Sequence, residues 1–397
     1  MKQVFDIVIV GKGMIGSAAA KYMAQTRQNV LIIGPDEPKP ETLENALVFS
    51  SHYDQARVQR LKGRDSVWSR LNLESAQQYP ELEQTTGIRF QTGVGCLYVS
   101  TYDNDPYFDS QDAIAGFPAF QEAFEGEDWR KSFPAFSFPD RAKAYYEEKP
   151  SGYINPLALI SAQLKAYSLS GGKSLNETVV KCEKGVDGNF MLETNLGSAF
   201  KAKKVLLATG AFVNQFNFLH RKLKVEIKSE VVVLGHISES ESKRLADMPS
   251  LLYETETETH EGIYLLPPVQ YPDEKTYIKL GCNIPQDQYF TAFEDMQRWF
   301  KADKGNDQTD FLSSLLSALL PKVRFESFHT KRCIITRTAH KKPYIGEIGN
   351  PGLFVATGGN GYGAMSSDAL GHVSAHLVCS GTLPEGYTKA DFMPVWA

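Results

Sequence analysis

Six residues, Gly11-Lys12-Gly13-Met14-Ile15-Gly16, constrain this chain more than any other stretch, because of what flanks them. Before them, Phe5-Asp6-Ile7-Val8-Ile9-Val10 is the kind of apolar run that a parallel sheet buries on both faces. After them, Ile15 to Gln25 is alanine-rich and spaced as a helix, and Asn29-Val30-Leu31-Ile32-Ile33 supplies a second strand. Strand, GxGxxG turn, helix and strand make the opening unit of a doubly wound sheet. Gly11 permits the tight turn, Gly13 lets backbone approach a pyrophosphate, and Gly16 allows close helix packing. Free N–H groups at the helix start, around Met14 and Ile15, face the anion. In this context the motif predicts a dinucleotide site.

The same pattern expects an acid at the end of the second strand to bind a ribose hydroxyl. Gly34 stands there, followed by Pro35-Asp36-Glu37. Asp36 is the candidate, provided the loop curls back; the alternative is a pair of solvated loop acids.

At 397 residues the chain exceeds the usual size of one core, so two joined domains are expected. A net charge of −5 and a pI near 6.0 give no positive field for nucleic acid or anionic lipid. Apolar stretches such as Val205 to Ala208 and Phe354 to Thr357 fall far short of the roughly 20 residues that span a bilayer. No leader pattern precedes the first strand, and Cys96, Cys182, Cys282, Cys333 and Cys379 contain no CxxC pair. A cytoplasmic, reducing location is therefore expected, with the protein a monomer.

Further along, Pro134, Pro139 and Pro150 punctuate Asp103 to Gly152, which reads as loops and short helices. Ala158 to Ser170 reads as a helix ended by Gly171-Gly172, and Lys203 to Thr209 as a buried strand before Gly210. Val225 to His236 and Tyr277 to Gly281 read as strands and Ala292 to Lys301 as a helix, giving an antiparallel substrate domain. Leu353 to Thr357 and Ala364 to Cys379 then read as a closing strand and helix of the cofactor domain.

Several segments carry a family resemblance. They are Ser51-His52-Tyr53-Asp54-Gln55-Ala56-Arg57-Val58-Gln59-Arg60, Thr276-Tyr277-Ile278-Lys279-Leu280-Gly281, Lys331-Arg332-Cys333-Ile334-Ile335-Thr336 and Ala356-Thr357-Gly358-Gly359-Asn360-Gly361-Tyr362-Gly363. Ala208-Thr209-Gly210-Ala211 and Thr338 to Gly346 add to them. In order and spacing the chain resembles the monomeric sarcosine oxidase and N-methyltryptophan oxidase family, within the D-amino-acid oxidase and glycine oxidase group. The resemblance implies an α/β fold: a Rossmann-like FAD-binding domain with a discontinuous α+β substrate domain built on an antiparallel sheet. The FAD domain would comprise residues 1–85, 150–222 and 330–397, and the substrate domain 86–149 and 223–329.

The resemblance also implies roles. Arg57 lies beside the flavin ring, and Arg60 faces the carboxylate of an amino-acid substrate, which a planar bidentate donor suits. Lys279 sits over the flavin and activates oxygen, a fixed positive charge stabilising the superoxide that forms. Cys333 carries FAD through a thioether, or else packs beside non-covalent FAD. Lys331 and Arg332 would lower its thiol pKa if they face it. Ser51, His52, Val180, Gly210, Gly358, Gly361, Tyr362 and Gly363 fall against FAD, and Tyr264 and Met365 in the substrate pocket. The implied reaction takes a hydride from the carbon next to nitrogen of a secondary or N-methyl amine or amino acid to flavin N5. Reoxidation by O2 gives hydrogen peroxide. The alternatives are a dehydrogenase serving another acceptor and a flavin-binding protein without catalysis.

Two departures bear on substrate. Met365 replaces the family's carboxylate-clamping lysine, and Asn283 its histidine four residues after Lys279. Without the resemblance, Arg57, Arg60, Lys62 and Arg64 read as an exposed basic helix face, Lys279 as an edge-strand lysine and Tyr264 as a sheet-face aromatic. Tyr264 matches the family only if Val269 to Lys275 is an insertion. Glu254 to Thr259 alternates as an edge strand with its acids to solvent. His372 and His376 are spaced for a metal but lack a third ligand, so no metal site is expected; no GxSxG elbow supports hydrolysis.

Overall fold

The computed structural model describes residues 4–105, 123–124, 128–302 and 308–397. The opening strand, Val4–Val10, pairs in parallel with Val30–Ile33 on one side and Ala199–Leu207 on the other. Lys173–Leu175 extends the sheet beyond Val30–Ile33, and Leu353–Thr357 lies parallel to the end of Ala199–Leu207. The start of that same strand holds the antiparallel hairpin Val179–Lys184 and Phe190–Thr194, and Tyr344–Glu347 closes the eight-stranded sheet.

Alternation sorts the two faces of this sheet. Ile7 and Ile9 pack with residues of the helices Met14–Met23, Ser66–Thr86 and Gly363–Ser380. Val8 and Val10 pack on the other side with Phe190, Leu192 and Phe218. Burial on both faces is why the strand is continuously apolar. The helix expected from Ala158 spans Pro156–Leu169, started by Asn155, whose side chain accepts from the amides of Leu157 and Ala158 at 3.0 Å.

The second sheet has nine strands. Val225–Ile237 pairs with Phe325–Thr338 along one side, and with Thr276–Asn283 and Tyr289–Phe290 along the other. Glu261–Gln270, Ser250–Glu256, Cys96–Ser100, Lys143–Glu147 and Ala123–Phe124 follow in order. One face, carrying Val233, Leu251, Leu265, Ile278 and Leu280, packs with residues of the helices Phe293–Lys301 and Thr309–Leu319. Along each strand the intervening residues point the other way. These include Glu230, Glu254, Tyr264, Asn283 and Cys333, which line a cavity bounded by both sheets.

Several expectations are corrected. Glu254 lies on Ser250–Glu256, an interior strand paired antiparallel to Glu261–Gln270 and parallel to Cys96–Ser100, so its alternation does not mark an edge. Arg57 stands on a short strand, Arg57–Gln59, paired with Gly152–Ile154, so these arginines form no helix face. Lys279 is also interior, between Leu234 and Leu266. Within Asp103 to Gly152 the chain contributes the strand Lys143–Glu147, while the part at 106–122 lies outside the described residues. The stretch Val269 to Lys275 is partly strand and closes a hairpin at Tyr271 to Lys275; Pro267 and Pro268 sit at the register shift, where no amide is required. Finally, Phe325–Thr338 belongs wholly to the second sheet, so a boundary at 330 falls inside a strand.

Candidate active site

The cavity, of about 400 Å³, begins at the glycine turn. Gly11 has φ +109°, and a Cβ there would strike the Ala208 carbonyl, so only glycine makes the turn. Gly34 explains the missing acid: a Cβ at that position would overlap the amide nitrogen of Lys12. The strand end packs so tightly on the loop that no side chain fits. Asp36 instead projects outward, 63% exposed and 2.6 Å from Lys12 Nζ, away from the cavity wall. Pro35, Thr178 and Val179 line this end, while Val180, one residue further, does not.

No side chain caps the helix Met14–Met23 at Gly13, and Gly13, Met14 and Ile15 lie on the wall. The first-turn N–H groups are therefore available to an anion, and the site fits the pyrophosphate of a dinucleotide. Gly16 is not on the wall; a Cβ there would overlap the Gly11 carbonyl, so its role is close packing.

Beyond the loop the wall is formed by Ser51, His52, Arg57, Gly210, Cys333, Gly358, Gly361, Tyr362 and Gly363. Arg57 Nη2 donates to the Ser51 carbonyl at 2.8 Å and lies 3.9 Å from Cys333 Sγ, while Nη1 pairs with Asp54 Oδ2. Lys279 Nζ donates to that same oxygen at 2.8 Å and also to the Ala56 carbonyl. Tyr271 donates to Asp54 Oδ1 at 2.6 Å. Lys279, 1% exposed, is thus held behind Arg57 and does not line the cavity.

Electrostatics follow from this packing. Burial pulls the Lys279 ammonium down to about 8, against the attraction of Asp54. Burial would raise the Asp54 carboxyl, but Lys279 and Arg57 outweigh it and hold it well below the usual range. Burial and Arg57 pull His52 down to about 3, so it is neutral. Burial pushes the Cys333 thiol up, opposed by Arg57. Lys331 and Arg332 do not lower it, because neither faces the sulfur: Lys331 Nζ reaches the Tyr53 carbonyl at 3.1 Å and Arg332 Nη1 the Trp299 carbonyl at 3.0 Å.

At the far end stand Arg60, Arg64, Leu252, Glu254, Gly262, Tyr264, Asn283, Arg337 and Met365. Arg60 is 2% exposed, and its guanidinium and that of Arg64 each lie 5.5 Å from the Tyr362 ring centre. Burial raises the Glu254 carboxyl, opposed by Arg64 and Arg60. Tyr264 packs on Gly281, where a Cβ would meet its ring. Arg337 Nη2 donates to Asn283 Oδ1 at 3.3 Å. Glu230, opposite Cys333 in the ladder, is 4% exposed and 3.0 Å from Lys228 Nζ, which Asp287 holds at 2.6 Å.

The structure therefore gathers most of the expected site residues around one cavity and leaves Lys279, Asp36, Val180 and Gly16 off its wall. Sequence reasoning missed Asp54, Glu230, Glu254, Arg64 and Arg337. Asp54 sits three residues before Arg57, which was the one local signal; its other side-chain partners, Tyr271 and Lys279, come from more than 200 residues away. Among the described residues no group of three or more His, Cys, Asp or Glu is placed to hold a metal, and no helix is long and apolar enough to cross a membrane.

Comparison with known proteins agrees with this geometry. Residues 6–377 match the family described as FAD dependent oxidoreductase. The monomeric sarcosine oxidase of Arthrobacter sp. (strain TE1826) is 23% identical over 396 residues, covering 96% of this chain and 94% of that protein. Among solved structures, NikD, an unusual amino acid oxidase essential for nikkomycin biosynthesis, superimposes with a TM-score of 0.76 at 18% identity, covering 100% of this chain and 98% of its own. The L-proline dehydrogenase from P. horikoshii gives 0.74 at 16% identity, covering 99% and 97%. This chain belongs to the FAD dependent oxidoreductase family and is an FAD-dependent oxidoreductase.

Proposed function

We propose that this protein is an oxidase of a secondary or N-methyl amino acid, with O2 as electron acceptor. The observation that carries the substrate class is Arg60, a nearly buried guanidinium on the cavity wall that Arg57 and Cys333 also line. It suits a carboxylate, in bidentate fashion. When bound, FAD supplies the two-electron acceptor for the C–H bond beside nitrogen.

The chain's own residues position and exclude. Arg60 orients the carboxylate, and Met365 and Tyr362 keep water from that end. Met365, 5% exposed, stands where a second cation would complete a clamp, so the carboxylate rests on Arg60, and an apolar group of the amine packs on the methionine. Arg57, with Lys279 behind it, holds positive charge against the wall, which favours arrival of negative charge there. Cys333 Sγ, on the wall, is the atom we propose bonds FAD as a thioether.

Anaerobic mixing with a panel of N-methyl amino acids tests the substrate class: bleaching of the flavin is expected, and a panel that leaves it yellow rejects the proposal. Readmitting oxygen tests the acceptor. A second reading, an enzyme passing electrons to another carrier, is favoured by Lys279, which is tied back to Asp54 and Ala56 rather than exposed to the cavity. Slow reoxidation by O2 after fast bleaching would select it. Yellow colour retained in an acid-precipitated pellet, and lost in Cys333→Ser, tests the thioether.

A further inference from the structure

We propose that Asp54 is a positioning residue, whose single oxygen Oδ2 joins Arg57 on the cavity wall to Lys279 behind it. The proposal rests on FAD occupying the cavity, and not on the substrate or acceptor proposed above.

Two cations on one buried oxygen is an unusual arrangement to leave to chance. Asp54 is 3% exposed, and its other oxygen takes the Tyr271 hydroxyl at 2.6 Å and the Gln55 amide at 2.8 Å. Its lone pairs are thus engaged on both sides, and the carboxylate cannot swing away without abandoning a buried donor. Arg57 is in turn fixed by the Ser51 carbonyl, which also receives Cys333 Sγ at 3.4 Å. The chain of contacts Lys279, Asp54, Arg57, Ser51 and Cys333 runs from the interior of the second sheet to the sulfur on the cavity wall.

The charged and titratable groups around Lys279 are few. Asp54 and Arg57 come from the segment before and on Arg57–Gln59, Tyr271 from the hairpin turn, and Tyr264 from the adjacent strand, its ring centre 6.0 Å from Nζ. Cys333 and Lys331 act from Phe325–Thr338, the latter through Asp54. The register neighbours Leu234 and Leu266 are apolar. Of these, Asp54 is the anion in direct contact with Nζ, so it opposes both burial and Arg57 in keeping Lys279 charged. Replacing it with a neutral residue leaves those two influences unopposed, and Lys279 gives up its proton at lower pH.

The experiment measures the midpoint potential of bound FAD against pH, which reads nearby charge without turnover. The wild-type protein is expected to change slope near pH 8, where Lys279 titrates. Lys279→Met should lack that break; persistence of the break there would overturn the proposal. In Asp54→Asn the break should move down by about one pH unit or more, a tenfold or greater loss of proton affinity, and Asp54→Glu should restore it at least in part. A break that stays within about 0.3 unit of wild type in Asp54→Asn overturns the proposal. Should Asp54→Asn fail to fold with FAD, Tyr271→Phe decides. Losing that donor strengthens the carboxylate's pull on Lys279, so the break should move up, and an unmoved or lowered break overturns the proposal.

Discussion

The two ends of the cavity are built on opposite plans. At the glycine turn the wall is mostly backbone: Gly11 and Gly13, the uncapped helix start, and Gly34, where even a methyl group has no room. At the strand end it is mostly side chains, Arg57, Arg60, Arg64, Glu230, Glu254 and Arg337, brought from four separate stretches of chain. The first plan requires particular residues at fixed spacing within one local unit. The second requires only that distant strands carry the right side chain on the right face.

The largest effect should come from filling the backbone end. Gly11→Ala forces a side chain into positive φ and into the Ala208 carbonyl, and strain plus overpacking should cost about 4 kcal/mol. A urea titration and the flavin-to-protein absorbance ratio measure it. Near-normal stability with full FAD would show that the loop tolerates side chains, which would erase the contrast between the two ends.

Next comes Asp54. Its carboxyl is depressed in the folded protein, so its contribution is fully present above the ordinary value of 3.8 and is lost as pH falls toward the folded value. Asp54→Asn leaves two buried cations without their anion and should cost about 3 kcal/mol at pH 7. The gap between the denaturant midpoints of variant and wild type should hold steady above 3.8 and narrow progressively as pH falls below it; a gap that stays constant on acidification would mean that the loss is one of packing.

Lys279 gives the same sign in a higher pH window, although its charge costs stability where that of Asp54 contributes it. Its folded value of about 8 lies below the ordinary 10.5, so between them the unfolded chain binds more protons and stability rises with pH. Relative to Lys279→Met, the wild-type protein should gain about 2 kcal/mol between pH 8 and 10. A flat difference would place the lysine in an environment as polar as water.

These two regions also explain what the sequence revealed. The turn, its strands and its helix were legible because all their determinants lie within the first 34 residues. Arg57, Arg60 and Cys333 were found through segments that resemble a family, and each lies on the cavity wall. Asp54 lay inside one of those segments and was passed over, because an acid beside an arginine has meaning only once Lys279 and Tyr271 arrive from the second sheet. Glu254 was assigned to solvent because alternation along a strand tells which residues share a face and not which face is covered. The parallel neighbour Cys96–Ser100, far away in sequence, decided that.

The smallest expected effect is at Asp36, and it tests the backbone plan from the other side. A doubly wound dinucleotide site ordinarily uses an acid at the end of the second strand, and its loss there would be felt by the ribose. Here the strand ends in Gly34, and Asp36, 63% exposed, points outward to Lys12; an ion pair whose acid stays in solvent contributes little. Asp36→Ala should change FAD affinity by less than about threefold, and raising salt should change it no more in the variant than in wild type. A tenfold loss, measured by flavin fluorescence on titration of apoprotein, would require the loop to curl inward when FAD binds. The turn would then also depend on a side chain, as the strand end does.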